Sequence, residues 1–384
     1  MTGPRSKSNR KFMVLSAIGI LMVVDHHTWI ALNLFGDYIP YNSFFMPMFV
    51  FISGYFNKVD SSTKLTGYIL KKIRTLLLPL AGLSVFVFLL QQFMIWFKGG
   101  EEIGYGAWYL GYVLQRIVTI GSFAPIAAPT WFVMSLFSVL LVYAVLKKLL
   151  FKIWNSYIML AVFCAMHLFA VWFAKTELMY SSEYLLLPLK VLFFLPFIEM
   201  GIIYRDHLEG KHTALPGGGK IAILAGMLFL NMIRTLYLPD PYDLAFDSLD
   251  DLSCFTSPYL VTPLLSSIVG ILFWLTLVDL IGKPVYESRF VNFMSCNTFW
   301  IMALHIAFFN LLNCILLAIN DHIALLPYFD TEYFQGSEWY FWEVTPSFKL
   351  AYVVVGILGP LAVKWIFDKI CAAVGNVFRR KSEA

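Results

Sequence analysis

KFMVLSAIGILMVVDHHTWIALNLF, Lys11–Phe35, decides how the rest of the chain reads. From Phe12 to Val24 the run is apolar except for Ser16 and Gly19. Asp25, His26, His27 and Thr28 then stand together before apolar residues resume up to Leu34. A helix crossing a bilayer needs about 20 mostly apolar residues, so Phe12–Leu34 reads as a first spanning helix. It is too long for the apolar core of a signal peptide, and no small-residue cleavage site follows it. Arg5, Lys7, Arg10 and Lys11 precede it, and basic residues of this kind mark a cytoplasmic flank.

Working outward, the same pattern repeats. Further spans are expected at Phe44–Phe56 (short, with Pro47 inside), Leu76–Phe97, Trp131–Leu146, Tyr157–Ala174, Tyr184–Tyr204, Ile221–Leu236, Tyr259–Ile281, Phe290–Ile319 and Phe348–Phe367. With ten helices, the basic clusters fall on one side: Lys58 to Arg74, Lys147 to Lys152, Arg205 to Lys220, Lys283 with Arg289, and Lys364 to Lys381. Most of the acid, including Glu101, Glu183, Asp250, Asp330 and Glu343, falls on the other. An odd number of helices would break that alternation. The expected fold is therefore all-α: a polytopic membrane helix bundle of about ten transmembrane helices with N- and C-termini cytoplasmic. It forms one domain over 1–384, with basic cytoplasmic tails at 1–11 and 373–384.

Composition agrees. Of 384 residues, 59% are hydrophobic and 14% charged, against about 25% charged in a soluble domain. The net charge of +4 comes from clusters at loops and not from a basic stripe, which argues against nucleic acid as a partner. The five cysteines show no metal-ligand spacing, so no metal site is expected and they read as small core residues. No matching pair of Gly/Pro-broken helices marks the two halves as an inverted repeat.

Ionisable groups inside a membrane are costly, about 2.5–3.5 kcal/mol at the centre on insertion scales, and default to functional candidates. Asp25, His26 and His27 form the densest group. At 1.5 Å per residue, His27 lies about 22 Å along the helix from Phe12, toward the far side. Histidine titrates near neutral pH and suits a general base. The alternative is a polar helix end in outer water, and spacing does not separate the two. Lys190 and Glu199 lie nine residues apart and face different ways, so they are not read as a pair. His167 reads as packing, and His305 taken alone reads the same way. Lys71, Lys72 and Arg74 either anchor topology or hold a phosphorylated ligand. Ser53-Gly54-Tyr55 reads first as a small-residue helix contact. The last outer loop sets Trp339 and Trp342 beside Glu338 and Glu343. That is an interfacial aromatic belt or a platform for a sugar.

The order of these features resembles a known family. A basic start, a first helix ending in His, FVFISGYF (Phe49–Phe56), KKIRTLLLP (Lys71–Pro79), PTWFVMSLF (Pro129–Phe137) and NTFWIMALH (Asn297–His305) are together similar to the acyltransferase 3 family, its fucose 4-O-acetylase-like branch in particular. The likeness runs from about Leu15 to His305. It implies an enzyme, an O-acyltransferase of the plasma membrane. Such an enzyme moves an acyl group, expected to be acetyl, from cytoplasmic acyl-CoA to a hydroxyl of a sugar or exported glycan. Acyl-CoA would be a co-substrate, with no permanently bound cofactor. His27 matches the catalytic position, with His26 and Asp25 beside it. Ser16 stands where the family carries a basic residue, so Lys11, Lys72 or Arg74 is expected to compensate. Lys71, Lys72 and Arg74 would flank the donor's mouth. Ser53, Gly54, Tyr55, Trp131, Asn297 and His305, with Trp339 and Trp342 toward the acceptor, would wall the site. A multispan transporter or flippase of a polar or lipid-linked sugar also accounts for the helices, but not for the ordered motifs.

Overall fold

In a computed structural model, residues 7–28, 32, 34–60, 62–97, 115–117, 119, 121, 125–237, 260–323, 331–336 and 348–382 are described. Among them there is no strand. The longer helices are α1 (Lys7–His26), α2 (Phe45–Tyr55), α3 (Leu65–Phe97), α4 (Ile126–Leu149) and α5 (Ser156–Phe173). They continue with α6 (Glu183–Ala214), α7 (Gly217–Tyr237), α8 (Thr262–Ile281), α9 (Arg289–Cys296), α10 (Thr298–Ile323) and α11 (Lys349–Ser382). Among the described residues, eight of the ten expected spans are helices long and apolar enough to cross a membrane. The other two are α1, which carries Arg10, Lys11 and Asp25, and α2, which has only 11 residues.

The boundaries correct the sequence reading in five places. The first helix stops at His26 instead of Leu34, and His27 and Thr28 form the turn that ends it. The expected ninth span breaks at Asn297, whose carbonyl accepts from Trp300 N and Ile301 N, so α9 and α10 are separate helices. The third and sixth spans are the apolar parts of longer helices, each continued through a π-turn, at Ile73–Leu77 and Tyr204–Leu208. Lys71, Lys72 and Arg74 therefore stand on a helix and not on a connection. Finally, α11 runs on to Ser382, so most of the expected basic tail is helical. Charged residues do not interrupt a helix; they mark only where it leaves the lipid.

α1 is the central element. Phe12, Val14, Leu15, Ala17, Ile20 and Met22 to Val24 are all buried, covering most of its circumference. A helix apolar all round is a buried one, and α1 lies against α2, α8, α9, α10 and α11. The exposed apolar residues sit on the outer helices: Leu89 on α3, Ile158 on α5, Leu230 on α7 and Leu358 on α11. These are the faces turned to lipid.

Close crossings set the bundle's geometry. A Cβ added at Gly54 of α2 would lie 2.2 Å from Ile198 O, and one at Gly201 of α6 would lie 2.2 Å from Phe51 O. The two backbones touch there, as small residues allow in lipid. On the other side of the bundle, Gly356 and Gly359 of α11 receive the rings of Phe309 and Phe308 of α10. Of the cysteines expected in the core, Cys314 is buried, Cys164 is half-buried, and Cys296 and Cys371 are exposed on outward faces. Cys254 lies outside the described residues.

Candidate active site

The end of α1 is held by two sets of contacts. The Asp25 carboxylate pairs with Lys349 Nζ at 2.9 Å and accepts from Leu32 N at 2.7 Å. Thr28 Oγ1 donates to Asp25 O at 2.6 Å and accepts from Lys349 Nζ at 2.8 Å. Asp25 thus ties α1 to the start of α11. Lys349 was missed from the sequence, though it carried a signal: it is a basic residue on the side where the charge alternation collects acid.

His27 is held by its own helix and by α10. Its Nδ1 lies 2.7 Å from Val23 O and 3.2 Å from His305 Nε2. His305 Nδ1 in turn lies 2.9 Å from Ile301 O. A carbonyl only accepts, so both Nδ1 atoms carry their protons. The His27 Nδ1–H is then shared between Val23 O and the lone pair of His305 Nε2. This leaves the His27 Nε2 lone pair as the basic position of the dyad. The rings sit 4.9 Å apart, and Phe309 closes the edge of His305 at 5.7 Å. His305 is fully buried. The dyad lies seven residues into α10, about 10 Å from the start of that helix and about 27 Å from its end. On α1, His27 stands just past the last helical residue, His26, about 22 Å along the helix from Phe12.

A cavity of about 220 Å³ approaches this dyad between α1, α2, α3, α4 and α10. Ser16, Ile20 and Val23 line it along one stripe of α1, with Ser53 of α2, Leu76 of α3 and Met302 of α10 among the other walls. Val23 is the residue whose carbonyl holds His27, and Met302 is one turn from His305, so the cavity ends about a helical turn from the dyad. Its opposite end is at Ser16 and Leu76, and Leu76 is one turn beyond Lys72 on α3. Its walls are mostly apolar, with the hydroxyls of Ser16, Ser53 and Thr298 as polar points. A space of this volume takes a slender chain and not a nucleotide, since sites for drug-sized ligands run to about 300–1,000 Å³.

The basic residues divide. Lys72 is half-buried, whereas Lys71 and Arg74 are exposed. Lys11 does not face the cavity. Its Nζ lies 2.9 Å from Tyr204 OH and 3.4 Å from Glu209. Tyr55 OH donates to the same Glu209 at 2.7 Å, and Tyr204 OH contacts His212 at 2.8 Å. Lys11 is thus committed to a polar cluster joining α1, α2 and α6. It stands five positions before Ser16, which turns it about 140° away on the helix.

The remaining expected site residues scatter. Of Ser53, Gly54 and Tyr55, only Ser53 lines the cavity; Gly54 is the contact with α6, and Tyr55 stacks on Phe12 at 3.8 Å. Asn297 is buried at the α9–α10 break, its side chain donating to Phe293 O, and the next residue, Thr298, reaches the cavity. Trp131 lies at the start of the apolar part of α4 with Lys190 Nζ 4.7 Å from its ring, beside the cavity residue Phe132. Glu199 accepts from Tyr143 OH at 2.5 Å, and His167 Nδ1 contacts Phe193 O at 2.7 Å. His26 is half-buried against Phe45. Trp339 and Trp342 lie outside the described residues. Thr298 and Met302 were not singled out from sequence; their only signal was their place within NTFWIMALH.

Residues 14–367 match the family model described as an acyltransferase domain. No curated protein and no solved structure was found to match the chain.

Proposed function

Since the chain belongs to the acyltransferase 3 family over nearly its whole length, it is a multi-pass membrane acyltransferase. We propose that it moves an acyl group, acetyl in the simplest case, from cytoplasmic acyl-CoA to a hydroxyl of a sugar or exported glycan at the plasma membrane. The observation that carries this reading is the His27–His305 pair, with a basic nitrogen on His27, about one helical turn beyond a mostly apolar cavity whose other end, at Leu76, is one turn from Lys72.

The basic clusters put the mouth of the cavity on the cytoplasmic side. The nucleotide of the donor stays outside, its phosphates near Lys72 with Lys71 and Arg74 around it, where charge-assisted contacts are strongest. The pantetheine arm enters between Ser16, Ser53 and Thr298, whose hydroxyls meet its amides. Lys72 thereby takes the place of the basic residue that Ser16 lacks.

At the dyad, His27 Nε2 removes the proton from the acceptor hydroxyl as that oxygen attacks the thioester carbonyl. The carbon–sulfur bond breaks, and the CoA thiolate leaves with the proton from His27. During this step His27 becomes an imidazolium. The His305 Nε2 lone pair, 3.2 Å from His27 Nδ1, then accepts a charge-assisted hydrogen bond that is stronger than the neutral one. Asp25 acts at one remove, by fixing the end of α1 through Lys349. The same Nε2 would be the nucleophile if an acyl-histidine forms first; a labelled acyl group retained on the protein in the absence of acceptor marks that route.

The test is release of CoA from acyl-CoA by purified protein, with His27→Ala as the partner variant, alongside mass spectrometry of cell-surface glycans with and without the protein. Loss of CoA release in His27→Ala and one acyl-sized mass difference on a glycan are expected. Unchanged release in a folded His27→Ala protein would overturn the role of His27. Glycans that do not differ would overturn the acceptor.

A further inference from the structure

A second concavity lies on the lipid side of the bundle. Phe93 of α3, Phe308, Ile315 and His322 of α10, and Val354 and Leu358 of α11 line a groove of about 840 Å³. It belongs to neither the His27 dyad nor the cavity leading to it. Ile315, Val354 and Leu358 are exposed, so the groove opens sideways from three helices that are each long and apolar enough to cross a membrane.

Its dimensions suit one kind of occupant. From Phe308 to Ile319 the groove follows α10 for about 16 Å at 1.5 Å per residue. That is about half of a ~30 Å hydrocarbon core, the depth of one leaflet. At about 30 Å³ for a group the size of a water, it holds roughly 28 such groups, comparable to the two chains of a diacyl lipid. The walls are apolar along this length. Among the described residues that line it, His322 is the one basic side chain, and it is exposed in the last turn of α10.

We propose that this groove is a binding site for one phospholipid of the surrounding bilayer, its acyl chains lying along α10 between α3 and α11 and its phosphate on the His322 imidazole. A space this large between spanning helices stays neither empty nor wet, since its walls offer water no partners. A flat helix face would take any passing chain; a slot of one leaflet's depth with an imidazole at its polar end selects a chain with a phosphate head. The floor of the slot is continuous with the catalytic helix. Phe308 packs on Gly359, and its neighbour Phe309 packs on Gly356 and against His305. The proposal rests on the membrane-spanning architecture and stands apart from the transferase reading.

The experiment uses the full chain in nanodiscs carrying phosphatidylglycerol with a photoreactive diazirine at the end of one acyl chain. Labelled positions are mapped by peptide mass spectrometry, with Leu89 of α3, exposed and outside the groove, as the internal reference for general lipid contact. Expected is labelling of groove residues on α10 and α11 about tenfold above Leu89, an occupancy difference equivalent to about 1.4 kcal/mol. Ala318→Trp, which fills the groove from an exposed position, should bring groove labelling down to the Leu89 level. A diacylglycerol probe without phosphate, and His322→Ala with the phospholipid probe, should each label the groove less than the parent pair does. Equal labelling of the groove and Leu89 would mean ordinary bilayer contact only. Groove labelling unchanged by Ala318→Trp, or absent because another part of the chain occupies the slot, would likewise overturn the proposal. None of these readouts depends on acyl transfer.

Discussion

Replacing His305 tests the dyad without touching the reacting nitrogen. In the resting state the His27 Nδ1–H already has Val23 O at 2.7 Å, so losing the longer 3.2 Å contact to His305 leaves no donor unsatisfied. The loss is felt when His27 gains its positive charge. A neutral hydrogen bond contributes about 0.5–1.5 kcal/mol and one to a charged group about 1.5–3 kcal/mol. The difference between resting and transition states is therefore about 1–2 kcal/mol. On the rate scale this is roughly a 5- to 30-fold loss of kcat. His305→Leu should show that loss with an unchanged KM for acyl-CoA, because His305 does not line the cavity proposed for the donor. His305→Asn, which offers an oxygen acceptor, should recover part of it. The assay is CoA thiol release under saturating acyl-CoA, with thermal stability of each variant measured alongside. A kcat within twofold of the parent would refute the argument. So would a loss as large as that of His27→Ala, which would make His305 a proton carrier in its own right. General acid–base groups typically contribute 10²- to 10⁴-fold, so the two ranges are separable.

Three further outcomes follow from the geometry. Lys72→Ala should weaken CoA binding about tenfold, whereas Lys71→Ala and Arg74→Ala, at exposed positions, should cost less than about 1 kcal/mol each; calorimetric titration of CoA checks this, and a larger effect at Arg74 than at Lys72 would reverse the assignment. Ser16→Arg should lower acyl-CoA affinity, because Ser16 lines the cavity and a guanidinium there both fills it and carries a membrane cost; a gain in affinity would show that the site lacks a cation that Lys72 does not supply. Gly201→Ala should destabilise the fold by about 1–3 kcal/mol through overpacking, since its Cβ would meet Phe51 O at 2.2 Å and Tyr55 N at 2.7 Å, while Gly226→Ala, with open space around its Cβ, should be neutral; equal melting temperatures for the two would contradict the α2–α6 contact.

The sequence by itself determined the membrane class, the approximate span positions and the candidate His27. Lipid and water select residues one position at a time, so the burial medium is written along the chain as composition. The apolar runs of α3, α4 and α6 needed no neighbours to be seen, and neither did the costly His27 within the first apolar run. What only the tertiary structure decided was pairing. His27 meets His305 across 278 positions, Asp25 meets Lys349, and Lys11 turns to Tyr204 and Glu209, leaving Lys72 one turn from the cavity residue Leu76. Ser53 faces that cavity while Gly54, the next residue, is spent on the contact with α6. Helix rotation and crossing separate such neighbours, and these depend on many weak interlocking contacts at once, among them Gly54 on Ile198 and Gly359 on Phe308. No single position records that sum.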